Sequence, residues 1–276
     1  MKTSIKKNKL PVIIFLIFGI APFFLDGYYV NNISYFMCWT FITLGLAVIW
    51  GMGGVLSFGQ TAFFGLAGYS FSVISINFLG VAGVGIWSPF LALLVTGFFG
   101  LIVGYFLFYG GIYDVFVGIV TLAITLVFET FMQQTAGPEY AIGPARLNGF
   151  NGMQGMPTMG FQNLKFGLIE GMTQYYFILF LAAVILLALY KFKNSKTGLI
   201  FLATKENRDR VASLGHNVQR IQLIAFVIAS LLAGLSGILY TNWGGYITPS
   251  SMGLVSAALP VVWVAASGKK DFLSVF

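Results

Sequence analysis

The chain has 276 residues, of which 58% are apolar and only 8% are charged. A soluble domain carries roughly 25% charged residues, so this composition excludes an ordinary soluble protein and favours a membrane protein. The net charge of +7 comes from basic residues clustered between apolar stretches, which indicates orientation in a membrane and argues against nucleic-acid binding. The single cysteine, Cys38, excludes an internal disulfide framework.

Apolar stretches of about 20 residues recur along the chain, each long enough to cross a hydrocarbon core of about 30 Å. They are too long and too uniformly apolar for the strands of a membrane barrel. The sequence therefore predicts an all-α fold, a polytopic transmembrane helix bundle that forms one domain over residues 1–276. The predicted spans are residues 10–25, 33–50, 55–79, 88–109, 115–135, 174–191, 221–242 and 254–268.

The two chain ends need separate interpretation. Four lysines precede the first apolar run, as in a signal peptide, but no small-x-small cleavage site follows, so we interpret the run as a retained first span. The chain stops at Phe276, shortly after the last predicted span. We expect a C-terminal truncation, with one or two more helices completing the bundle.

The basic clusters test the predicted span count. Six predicted spans separate the lysine-rich N-terminus from segment 192–220, and two more separate that segment from Lys269 and Lys270. All three clusters then lie on one side, which the positive-inside rule makes the cytoplasm. Segment 136–173 falls outside, and its turn-forming Gly-Pro and Asn-Gly pairs fit either an ordinary loop or a structured cap.

Catalytic and metal chemistry finds little support in the residues. His216 is the only histidine, and the eight acidic residues are scattered, so neither a metal cluster nor an acid–base pair is predicted. Gly268-Lys269 lacks the upstream glycine of a phosphate-binding loop. We expect no enzyme activity, no metal and no cofactor.

Polar residues inside two predicted spans form a candidate site. Thr121, Thr125 and Glu129 recur every four residues and so share one helix face. Hydrogen bonding between helices explains the threonines equally well, but a carboxyl group in a span usually faces the bundle interior or a water-filled cavity. Gln60 follows a serine and a glycine at the start of span 55–79, where a partly broken helix could line a cavity.

Segment 192–220 predicts a short amphipathic helix over residues 199–214. Ser195 or Thr197 can cap its start, and Gly215 can end it in a left-handed conformation. Such a helix either lies in the lipid headgroup layer or docks in a groove of a partner protein as a lever.

Three stretches carry a family resemblance. Residues 205–220, KENRDRVASLGHNVQR, followed by LIAF at 223–226 and AGLSG at 233–237, resemble the cytoplasmic coupling loop and next helix of the branched-chain amino acid and amide (urea) ABC transporter permeases of the LivM/LivH type. LSFGQ at 56–60 and AFFG at 62–65 resemble an early helix of that family, with Gln60 standing where many members have histidine. The looser third match joins 120–122 to the glycine-rich stretch 149–153.

The resemblance implies the permease subunit of an importer for branched-chain or related amino acids in the cell inner membrane. ATP hydrolysis would occur on separate subunits. The implied partners are a second, homologous permease subunit, two ATP-binding subunits and a periplasmic solute-binding protein. Coupling to the ATPase would use Glu206, Ala212 and Gly215. The translocation path would be lined by Gln60, Thr121, Thr125 and Glu129. Urea, a short amide or a sugar remains open as the substrate, whereas a passive channel or an intramembrane enzyme fits the residues poorly.

Overall fold

The structure, a computed structural model, describes residues 2–160, 167–269 and 271–276. The helices in this part of the chain are α1 Lys2–Ile20, α2 Gly27–Leu46, α3 Gln60–Asn77, α4 Val84–Tyr109, α5 Val115–Gln134, α6 Gly171–Lys193, α7 Lys196–Glu206, α8 Arg208–Ser213, α9 Val218–Gly244, α10 Leu254–Ser267 and α11 Phe272–Val275. Short pairs of strands complete it: β1 Ala141–Ile142 with β2 Ala145–Arg146, and β3 Met153–Gln154 with β4 Tyr246–Ile247. The predicted all-α class is confirmed, because the strands are two residues long and lie between helices.

Five of the described helices are long and apolar enough to cross a membrane: α2 with its extension to Met52, α4, α5, α6 and α9. Two shorter apolar stretches, Leu10–Phe23 and Leu254–Ser267, lie where the first and last spans are predicted. The third predicted span becomes α3, which begins at Gln60 and is shorter than predicted. The position of each predicted span is thus matched by a helix, although three of these helices are shorter or less apolar.

The longest helix, α9, forms the centre of the bundle, with α2, α3 and α4 packed around it. Small residues make this possible, because each contact brings two helices closer than a larger side chain would allow. A β-carbon added to Gly100 of α4 would lie 2.7 Å from Ser230 of α9, and one added to Gly45 of α2 would lie 2.8 Å from the carbonyl oxygen of Ala229. Gly104 packs in the same way, since its added β-carbon would lie 2.7 Å from Leu223 of α9.

The two ends of the bundle differ in charge. One end, which we call the basic end, carries α7, α8, the turn at Lys269 and the loop between α4 and α5. At the other end, Tyr175 at the start of α6 donates a hydrogen bond to the carbonyl oxygen of Phe18 near the end of α1. Asn77 at the end of α3 donates to Ile142 in the 136–173 segment. Basic segment 192–220 and segment 136–173 therefore lie at opposite ends, as the positive-inside count predicts.

Segment 136–173 is structured in its described part, and we call it the cap. Strands β1 and β2 form an antiparallel hairpin, while β3 pairs with β4 directly after α9. Asn242 of α9 accepts a hydrogen bond from the backbone of Met159 at 2.7 Å and donates to the carbonyl oxygen of Ile169 at 2.7 Å. These bonds join the cap to the central helix, which favours the structured alternative over an ordinary loop.

Candidate transport site

A break in the helical backbone lies next to the predicted polar face. α2 continues as a π-helix over Ala47–Met52, after which residues 53–59, here called the broken segment, have no regular helix before α3 begins at Gln60. Gly54 adopts φ +76°, a conformation that glycine reaches without steric cost. The sequence left open whether the third predicted span is continuous, and the structure has the break before Gln60. Non-helical backbone at membrane depth needs hydrogen-bond partners from elsewhere in the protein.

Thr121 and Thr125 of α5 supply those partners. The backbone N–H of Phe58 donates to Thr121 Oγ1 at 3.2 Å. The Thr125 hydroxyl is shared between two acceptors, the carbonyl oxygen of Phe58 at 3.2 Å and that of Thr121 in its own helix at 3.0 Å. Both threonine side chains are buried. They therefore satisfy both backbone groups of Phe58. The threonines thus form hydrogen bonds to a neighbouring element, as one of the two interpretations expects, but that element is the broken segment and not a helix.

Glu129 lies one turn further along α5 and is half-buried. Its Oε1 accepts a hydrogen bond from Gln133 at 3.2 Å, and a β-carbon added to Gly253 would lie 2.6 Å from that oxygen. Gly253 is the residue before α10, so the carboxylate approaches a helix N-terminus, whose positive end of the macrodipole attracts negative charge. No local pattern predicts this contact, because Gly253 is distant from Glu129 in the chain.

Gln60 is 2% exposed, and neither its Oε1 nor its Nε2 has a hydrogen-bond partner among the described residues. It shares a face of α3 with Phe64 one turn later, and Phe64 stacks on Trp39 of α2 with ring centroids 4.7 Å apart. Thr61, on a neighbouring face, instead donates to the carbonyl oxygen of Met252. The structure thus brings Thr121, Thr125 and the broken segment together, while the Gln60 side chain lies on the α2 side of α3.

At the basic end, the prediction of a single helix over residues 199–214 is wrong, because α7 and α8 are separate helices. Asn207, with φ −159°, interrupts the helix and accepts a hydrogen bond from the backbone N–H of Arg210 at 2.8 Å. An asparagine side chain that caps a new helix competes with continuation of the old one. Of the two predicted N-terminal caps, Ser195 and Thr197, Ser195 is the cap of α7 and accepts a hydrogen bond from the N–H of Gly198 at 3.1 Å. The predicted left-handed Gly215 follows α8 with φ +85°.

The residues predicted to couple to an ATPase lie on the surface of this helix pair. Glu206, Ala212 and Gly215 are exposed. Leu214 beside them is 71% exposed, whereas Val211 on the inner side of α8 is 5% exposed. α8 therefore presents an apolar residue within a charged surface while its other side packs on the bundle.

Comparison with known proteins identifies the family. Residues 28–276 match the model of the branched-chain amino acid transport system permease component. The chain belongs to this family. The permease is 25% identical to the high-affinity branched-chain amino acid transport system permease protein LivM of Escherichia coli K12 and 26% identical to LivM of Salmonella typhimurium, each over 281 residues.

These two alignments cover 96% of the permease and 64% of each relative. A probable branched-chain amino acid transport permease protein LivM of Methanocaldococcus jannaschii is 23% identical over 231 residues, which cover 79% of the permease and 63% of that relative. The permease thus spans a little under two thirds of the length of these relatives. No solved structure gives a significant match. The family predicted from residues 205–220 and 56–65 is confirmed.

Proposed function

We propose that this permease is the membrane-spanning subunit of an ABC importer that moves branched-chain amino acids, driven by ATP hydrolysis on separate subunits. The family match over residues 28–276 and the three relatives named for branched-chain amino acid transport support this substrate class. The observation that carries the proposal within the molecule is the half-buried carboxylate of Glu129 in a span, next to the start of α10.

Glu129 suits an amino acid for an electrostatic reason. A carboxylate at membrane depth is costly and is retained where it faces a cavity or a charged partner. An amino acid presents an ammonium group, which a carboxylate attracts, whereas urea and sugars are neutral. Thr121 and Thr125 hold the wall of the path through their bonds to Phe58. Gln60, on the α2 side of α3, is not part of that wall.

The two ends of the bundle suit different partners. Glu206, Ala212 and Gly215 are exposed at the basic end, which we assign to the cytoplasm, facing two ATP-binding subunits. The cap then faces the periplasm and receives a solute-binding protein. A second, homologous permease subunit completes the path, and the assembly resides in the inner membrane.

The variant Glu129→Gln tests the path. We expect leucine uptake to fall about tenfold or more, because one charge-assisted contact is lost. Uptake of radiolabelled leucine is measured in cells that lack their own importer and express the complete transporter, with competition by unlabelled urea and ribose. Glu139→Gln, an exposed carboxylate of the cap, is the control. Unchanged uptake in Glu129→Gln removes Glu129 from the path, and competition by ribose or urea overturns the substrate class.

The variant Gly215→Leu tests the coupling surface. Gly215 has φ +85° and no atom within 4 Å of an added β-carbon, so leucine adds about 1–2 kcal/mol of backbone strain without a clash. We expect uptake to stop while the protein still reaches the membrane. Gly80→Leu is the matched control, since Gly80 has φ +94° and equally open surroundings at the other end of the bundle. Equal uptake in both variants contradicts the coupling role.

A further inference from the structure

α7 contacts the start of the broken segment directly. Lys205 Nζ donates a hydrogen bond to the carbonyl oxygen of Gly51, in the π-helical end of α2, at 2.9 Å. The fully buried ring of Phe201 packs so closely on Gly53 that an added β-carbon would collide with it. The Lys205 stem covers Gly54, whose added β-carbon would lie 3.1 Å from Lys205 Cγ. α7 therefore holds this end of the segment through a side-chain hydrogen bond and packing contacts.

The other end of the segment is held by α5, through the two hydrogen bonds of Phe58 to Thr121 and Thr125. α5 in turn is held at its own start by α8. The Arg208 guanidinium lies 3.6 Å from the centroid of the Tyr113 ring, two residues before α5. The helix pair α7–α8 thus contacts the broken segment and the turn that leads into α5. The threonines join the broken segment to α5.

The segment also has room to move, although protein interiors are usually close-packed. A cavity of about 230 Å³ lies between the segment and α5, lined by Leu56, Phe58 and Leu122 among others. A second cavity of about 390 Å³ lies between Gly51, Met52 and α7. π-helical turns are rare and occur frequently at functional sites, and here one directly precedes the break. The backbone between α2 and α3 is therefore bordered by open space on the α5 side and on the α7 side.

We infer that the broken segment transmits displacement of α7 to α5, with Lys205 and Phe201 as positioning residues at its start. This inference rests on the proposed function, since an ATP-hydrolysing partner must move the helix pair. When α7 moves, its bond to Gly51 and its packing on Gly53 draw the segment with it. Phe58 then shifts Thr121 and Thr125, which lie two turns and one turn before Glu129 on the same helix face. The segment is the two-state element through which movement at the basic end reaches the path.

The variant Lys205→Met tests the first link, because it keeps the apolar stem over Gly54 and removes the donor to Gly51. The complete transporter is reconstituted in liposomes, and leucine uptake and ATP hydrolysis are measured on the same sample. We expect uptake per ATP hydrolysed to fall about fivefold or more at unchanged protein amount. Lys196→Met, an exposed lysine in the first turn of α7, should behave as wild type. A wild-type ratio in Lys205→Met overturns the inference. Should this variant not reach the membrane, Phe201→Leu replaces it, with the buried Phe71→Leu as control.

The variant Thr125→Val tests the last link and should also lower uptake per ATP. Thr96→Val is its control, because Thr96 is equally buried and also donates to the carbonyl oxygen four residues earlier in its own helix, whereas Thr125 additionally reaches Phe58. If both links act in one chain, the double variant Lys205→Met/Thr125→Val loses no more than the worse single variant. Independent structural effects multiply instead, and that result overturns the inference. If the wild-type transporter imports no leucine, the proposed function is overturned. If it imports leucine and the variants keep the wild-type ratio of uptake to ATP hydrolysed, only the inference about the broken segment is overturned.

Discussion

Single glycines decide how closely the helices of this permease approach. Gly237 of α9 faces the carbonyl oxygen of Phe64 in α3, and a β-carbon added there would collide with that oxygen. A backbone carbonyl cannot rotate away as a side chain can, so the helices must separate. The contact therefore depends on glycine and on no other residue type at this position.

Gly237→Ala should lower the free energy of unfolding by about 1–3 kcal/mol, the usual cost of forcing an extra methyl group into a packed interface. The midpoint of thermal unfolding of the purified protein in detergent measures the change. Gly19→Ala is the control, since nothing lies within 4 Å of the added β-carbon on α1. If the two variants unfold at the same temperature, the close approach of α3 and α9 is wrong.

The sequence predicts the spacing of such residues but not their partners. The small residues at 233 and 237 fall on one helix face because four residues make about one turn. That Gly237 meets Phe64 depends on how far α3 is shifted along α9, which no local pattern encodes. The same limit holds in the candidate site. The four-residue spacing places Thr121, Thr125 and Glu129 on one face, whereas their contacts with Phe58 and Gly253 depend on the tertiary fold.

At the scale of elements, hydropathy locates the helices and local polar chemistry decides where they stop. Spans 88–109 and 115–135 match α4 and α5 closely, because long apolar runs have few alternatives in a bilayer. The predicted helix over 199–214 fails at Asn207, whose side chain caps α8. Alternating charged and apolar residues continue across this point, so the amphipathic pattern hides the interruption.

The cap, like the start of α8, depends on an asparagine side chain, in this case Asn242 of the central helix α9. Asn242 bonds both Met159 and Ile169, and also donates to Gln174 Oε1 at 3.1 Å. Its amide thus joins two backbone positions of the cap to α9 and to the start of α6. Leucine at this position has a similar size but cannot replace any of the three bonds.

Asn242→Leu should therefore loosen the cap without unfolding the bundle. Each lost hydrogen bond costs about 1 kcal/mol net, and two of the three anchor the cap. We therefore expect limited proteolysis of the purified protein to cut residues 136–173 about thirtyfold faster. Asn151→Leu is the control, because Asn151 lies in the cap with an exposed side chain. Equal cleavage rates in the two variants contradict the anchoring role of Asn242.

At the scale of the whole molecule, the distribution of charge and the number of times the chain crosses the bundle predict the same topology. Between the cap and the helix pair α7–α8, the chain crosses the bundle once, through α6. If α6 crosses the membrane, as its length and apolar composition allow, we expect residues 151 and 216 on opposite sides of it whichever way the protein is oriented. The positive-inside rule adds the direction, since the basic residues around 216 favour the cytoplasm.

Cysteine labelling measures this directly, because the only native cysteine, Cys38, is fully buried and should not react. In intact cells, a membrane-impermeant maleimide should label Asn151→Cys and leave His216→Cys unlabelled until the membrane is permeabilised. The unmodified protein, labelled in parallel, controls for reaction at Cys38. Labelling of both variants from outside would mean that α6 does not cross the membrane. The number of spans before segment 192–220 would then no longer be even, and the basic clusters would not all lie on one side. The reverse pattern would keep the fold and invert its orientation, placing the exposed surface of α8 where no ATP-hydrolysing partner can reach it.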